Sequence, residues 1–101
     1  MLLHISKHLQ LTTLKIMIMR QIEKEMLQAI KEKRNFSKSN TIVKHENSTV
    51  YVYLFGNLIA TKKDNDKWVY DTCGWDTTTT RSRLNALGAN CCIKNGIIIF
   101  N

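Results

Sequence analysis

Proline is missing from this chain altogether and glycine occurs only four times, which excludes proline-rich spacers and glycine-rich phosphate loops. Long apolar runs are missing too: the longest candidate, residues 14–19, is six residues against the roughly 20 that a bilayer-crossing helix needs. The cysteines, Cys73, Cys91 and Cys92, are odd in number, and the adjacent pair cannot close an ordinary unstrained disulfide. A reducing compartment is therefore expected. Lys7 and Lys15 interrupt the apolar residues of the N-terminus, and no small-residue cleavage site follows them, so no signal peptide is expected. Without secretion, the glycosylation patterns at Asn35-Phe36-Ser37 and Asn47-Ser48-Thr49 carry no meaning.

Acidic residues are scarce. Eight Asp and Glu face fifteen Lys and Arg, a net charge of +7, and the excess is uneven: residues 1–44 hold nine basic and three acidic side chains, residues 45–101 six and five. Such a surface favours polyanions, either nucleic acid or an acidic protein face, because long-range attraction speeds encounter and phosphate contacts release counterions. The plainer use of the same charges is a solvated helix face. A chain of 101 residues with 44% apolar content fits one hydrophobic core. Residues 19–101 are expected to form that single domain. Residues 1–18 extend its first helix, pack separately or fray, and Met17 or Met19 offers an alternative start.

From Met19 the apolar residues fall at Met19, Ile22, Met26, Ala29 and Ile30, one helical face. Glu23 and Glu25 early and Lys31, Lys33 and Arg34 late suit the helix dipole, so a helix of about four turns is expected before Asn35. Beyond Ser37 the period becomes that of strands: Thr41–His45, Thr49–Phe55, Leu58–Lys62 and Lys67–Asp71, an antiparallel meander. Gly56-Asn57 reads as its tight turn. Val50, Val52 and Leu54 share one face, Tyr51, Tyr53 and Phe55 the other. Trp68 and Tyr70 alternate with Val69 and are expected to pack in the sheet or core.

Next, Gly74-Trp75-Asp76 runs through four threonines into Arg81-Ser82-Arg83-Leu84-Asn85-Ala86. Threonine is a poor helix interior but a good cap, so a capped helix start is expected there. Thr80, Leu84 and Leu87 form its apolar stripe and Gly88 closes it, with Arg81 and Arg83 flanking the stripe and Thr78, Ser82 and Asn85 pointing away. Cys91–Lys94 and Ile97–Phe100 surround Asn95-Gly96, a strong hairpin signal. The expected fold class is α+β: an N-terminal helix, an antiparallel β-meander, a short second helix and a C-terminal β-hairpin.

Together, Ser39-Asn40-Thr41-Ile42-Val43, Val52-Tyr53-Leu54-Phe55-Gly56-Asn57-Leu58-Ile59-Ala60, Cys73-Gly74-Trp75 and Thr79-Thr80-Arg81-Ser82-Arg83-Leu84-Asn85-Ala86 resemble a family of small bacteriophage proteins over residues 20–101. Where that family often has His before the Gly-Asn turn, this chain has Phe55. The resemblance implies a viral or mobile-element origin, hence action in the host cytoplasm. It carries no activity, but small phage proteins of this kind often inhibit host machines, including CRISPR effectors, polymerases and nucleases.

Enzyme chemistry finds little support, and no cofactor is expected. His4 and His8, one helical turn apart, could join the cysteines around zinc, but no Cys-x-x-Cys or matched His pair gives ligand spacing. Cys91 with His45 has the residue types of a thiol nucleophile and base; Cys91-Cys92 before Ile93 more simply reads as a buried strand. Asp71 and Asp76 flank a loop where capping the threonines is the plainer use. Two binding mechanisms compete. In one, Arg81, Arg83, Lys62 and Lys63, helped by the cluster from Lys31 to Arg34, follow a nucleic-acid backbone while Tyr51, Tyr53 or Trp75 stacks on unpaired bases. In the other, the same groups, with Thr78, Thr80 and Asn85, grip a host protein or nucleoprotein complex, Trp, Tyr and Arg being the types that dominate interface energies. Against both stand structural uses: Trp75 as a core anchor, and arginine stems covering the helix stripe. Tyrosines on a second sheet face also suit a homodimer.

Overall fold

A computed structural model describes residues 19–101. The expectations for residues 1–18, including His4 and His8, lie outside the described residues. Helix α1 spans Gln21–Lys31, one turn shorter than the periodicity predicts. Glu23 Oε1 accepts the Arg20 amide at 3.3 Å at its start, and Lys33 at φ 55° turns the chain out at its end, where the Arg34 amide donates to the Ala29 carbonyl.

Strands β1 (Phe36–Lys38), β2 (Thr41–Glu46), β3 (Thr49–Leu54), β4 (Asn57–Lys63) and β5 (Val69–Tyr70) follow. They form one antiparallel sheet in the order β1-β2-β3-β4-β5. The meander is as expected, with one strand more: Phe36-Ser37-Lys38 is too short to show an alternating pattern and is a strand because it pairs with β2. The β3–β4 turn also sits one residue earlier than Gly56-Asn57. Leu54 pairs with Asn57, so the turn residues are Phe55 at φ 51° and Gly56 at φ 80°. A bulge in β4 then sets Val52 opposite Ala60 and Tyr53 opposite Leu58, which turns both Ile59 and Ala60 inward.

Helix α2 (Thr78–Ala86) and the hairpin of β6 (Cys91–Lys94) and β7 (Ile97–Phe100) complete the chain. Asn95 and Gly96, at φ 54° and 76°, make the hairpin turn that the Asn-Gly pair predicts. Thr80, Leu84 and Leu87 are buried as the stripe requires.

Both helices and the hairpin pack on the same face of the sheet. Met26 of α1, Leu84 of α2, and Cys91 and Ile98 of the hairpin share one core with Val43, Val52, Leu54 and Ile59. Tyr70 extends it, stacking on Trp68 with ring centroids 6.4 Å apart and on Phe100 at 6.0 Å. The opposite face, with Ile42, Lys44, Tyr51, Tyr53, Leu58, Thr61 and Val69, carries no element of the described residues.

A candidate docking groove between two turns

Residues 71–77 form a loop made rigid by its own hydrogen bonds. Asp71 Oδ1 accepts the Cys73 amide at 2.8 Å, and the Trp75 amide donates to the Thr72 carbonyl at 2.9 Å. Cys73 (φ 56°) and Gly74 (φ 79°) make the turn between them. The Cys73 thiol donates to the Leu58 carbonyl at 3.2 Å, fastening the loop to β4. Asp76 Oδ1 accepts the Ile98 amide at 3.3 Å, fastening it to β7. Thr77 caps α2: its Oγ1 accepts the Thr80 amide at 3.1 Å and lies 3.0 Å from Thr80 Oγ1.

This bracing leaves Trp75 59% exposed, and together with Phe55, 69% exposed, it lines a groove of about 370 Å³. Leu54 and Ile59 line the groove with the two aromatics, and Thr72, Thr77 and Thr79 add hydroxyls. A space of this size takes one or two side chains of a partner. Phe55 is held in the left-handed region, which costs a residue with a Cβ roughly 1–2 kcal/mol. Its amide donates to the Asn40 carbonyl at 2.8 Å, which pins the turn in that conformation.

The sequence-predicted site residues do not converge. Trp75 and Thr80 line the groove and Thr78 begins the helix beside it. Thr80 itself is buried, its hydroxyl engaged by Thr77. Arg83 is 1% exposed rather than flanking the stripe in solvent. It donates to Glu23 Oε2 at 2.7 Å, Thr41 Oγ1 at 3.0 Å and Asn40 Oδ1 at 3.1 Å, tying α2 to α1 and to the β1–β2 turn. Ser82 and Asn85 also face inward rather than away. Ser82 donates to Glu23 at 2.6 Å, and Asn85 both donates to the Cys91 carbonyl and accepts the Cys91 amide, clamping β6. Arg81 lines a separate cleft with Met19, Arg20 and Glu23. Lys62 lines a third, at the far end of the sheet. Tyr51, Tyr53 and Lys63 lie on the open sheet face.

Of the groove lining, only Trp75 and Thr80 are sequence-predicted site residues; Phe55 is the exposed aromatic that the sequence does not mark as one. Strand alternation predicts one more outward strand residue there, and the one-residue turn shift carries it to the hairpin tip. Sites for covalent chemistry are poorly provided. Burial pushes the Cys73 thiol up, with Asp71 adding to the effect, and burial likewise pushes Cys91 up. Among the described residues, no group of three or more His, Cys, Asp and Glu could hold a metal ion. No described helix is long and apolar enough to cross a membrane.

The molecule is thus a small α+β protein with one face of its sheet covered and a groove at the hairpin end. Comparison places it among phage proteins: the family model of the Kyanoviridae Gp96 protein matches residues 19–101, and the chain belongs to that family. No curated protein matches the chain, and no solved structure does.

Proposed function

We propose that this phage protein is a non-enzymatic regulator that acts in the host cytoplasm by docking on a host nucleic-acid-processing machine, inhibiting it in the manner of a host-takeover or anti-defence protein. CRISPR effectors belong to that class of target. The observation that carries the reading is Phe55. A bulky aromatic is kept in a costly backbone conformation, exposed at a turn, lining one groove with an exposed tryptophan and an apolar floor. The left-handed backbone recurs at other turns of the chain, from Lys33 to Asn95; what sets Phe55 apart is a large exposed ring held at the tip, and strain kept at such a contact is a pattern of binding. Trp ranks among the residue types that dominate interface energies. The net charge of +7 suits a target that carries nucleic acid or presents an acidic face.

The test is affinity capture from host lysate with the wild-type chain and with Trp75→Ala, Phe55→Asn and Arg81→Ala variants, each confirmed as folded. A stoichiometric partner retained by the wild type and lost with Trp75→Ala supports the groove as the docking site. Identical capture by the wild type and both groove variants removes it. Arg81→Ala measures the arginine contribution separately, because Arg83 is committed to the fold.

A further inference from the structure

We infer that the open face of the five-stranded sheet binds single-stranded nucleic acid, with Tyr51 and Tyr53 as stacking platforms and Lys44 and Lys63 as phosphate contacts. This surface is distinct from the groove. Strand β3 is the central strand, so its two outward tyrosines stand in the middle of the face. They are two residues apart, roughly 6.6 Å along the strand, the scale of one nucleotide step in an extended single strand. Ile42 and Leu58 pair across from Tyr53 and give it apolar flanks. Lys44 and Thr61 pair across from Tyr51 and give it a cation and a hydroxyl.

Charge selects the occupant. Strand alternation puts Lys44 and Lys63 on this face against a single carboxylate, Glu46, at its end. A second copy of the chain would bring lysines against lysines in a molecule already at +7; a polyanion meets them with opposite charge. The Lys44 ammonium lies 5.5 Å from the centre of the Tyr53 ring. That contact is weak at an exposed site and is easily exchanged. A base can take the ring face while the ammonium swings out to the adjoining phosphate. Duplex DNA, whose bases are already stacked, cannot use the tyrosines in this way.

The experiment is fluorescence anisotropy of the full chain with a labelled oligothymidylate of about 16 nucleotides and with a duplex of equal length, from low to physiological salt. Preference for the single strand is expected, with affinity falling as salt rises. Tyr51→Ala and Tyr53→Ala should each weaken binding by about ten-fold, while Tyr53→Phe, which keeps the ring, should not. Lys44→Ala should lower the salt slope by about one. Absent binding, equal affinity for the duplex, or full affinity in both alanine variants would overturn the inference. So would a dimer in sedimentation that Tyr53→Ala dissociates, since the face would then belong to a second copy. The titration contains no protein partner, so its outcome stands apart from that of the groove.

Discussion

Arg83 Nη1 donates to Glu23 Oε2 at 2.7 Å, and neither side chain is more than 3% exposed. A buried guanidinium is costly, and burial draws the Arg83 pKa down despite the opposing pull of Glu23. The cost is offset because three acceptors, Glu23, Asn40 and Thr41, meet it. Four segments meet at one side chain: α1, α2, the β1–β2 turn and β2.

Removing one partner should therefore be far worse than removing both. Glu23→Ala leaves a buried cation uncompensated and should cost about 3–5 kcal/mol in urea unfolding. The double variant Glu23→Leu with Arg83→Met should recover most of that loss. A single-variant loss below about 1 kcal/mol would mean that the pair behaves like a surface ion pair, open to water.

Phe55 should behave in the opposite sense. Phe55→Asn puts a residue that tolerates the left-handed region at φ 51° and gives up only an exposed ring. Stability should rise by about 1 kcal/mol, read as a higher urea midpoint at unchanged slope. Capture of the docking partner should fall in the same variant. A gain in stability with capture intact would leave the strain unexplained by binding.

These residues also mark where sequence reading succeeds and where it stops. Periodicity locates α1 and the strands β2 to β4 because each buries a face at its own spacing, as at Met26, Ala29, Val52 and Leu54, and the Asn95-Gly96 turn signal locates the terminal hairpin. Strand β1 was invisible because three residues have no period. Arginine is usually a surface residue, so the sequence predicts Arg83 at the surface; its burial depends on Glu23, 60 positions away. The groove was half legible. Trp75 beside a glycine turn stood out, but Phe55 joins it in the groove only because the hairpin turns one residue early, a choice between Gly56 positions that propensity does not resolve.

The cap of α2 is a further point of leverage on the groove. Thr77 accepts the Thr80 amide through Oγ1, and both residues line the groove. Thr77→Ala should cost about 1 kcal/mol, while Thr77→Ser, which keeps the oxygen, should cost far less. Thermal unfolding of the two variants checks this. Equal losses would assign the effect to the threonine methyl group instead of the cap.

The thiols give a pH-dependent prediction with a definite sign. Burial raises the pKa of Cys91, and burial with Asp71 raises that of Cys73, both from an ordinary value of 9.0. The folded state thus holds its protons more tightly than the unfolded state. The contribution is fully present below the ordinary thiol value and is lost as pH rises through the raised folded values. Urea stability should therefore decline on the alkaline side, and Tyr70, also raised by burial, adds to the decline at higher pH. Cys91→Ala should lower stability near neutral pH yet flatten the alkaline decline. Iodoacetamide supplies the independent check: exposed Cys92 should alkylate in the folded protein and buried Cys91 only once urea unfolds it. Equal labelling of the two without urea would mean that the terminal hairpin opens from the core, because Cys91 reaches solvent only when the Asn85 clamp on its amide and carbonyl lets go.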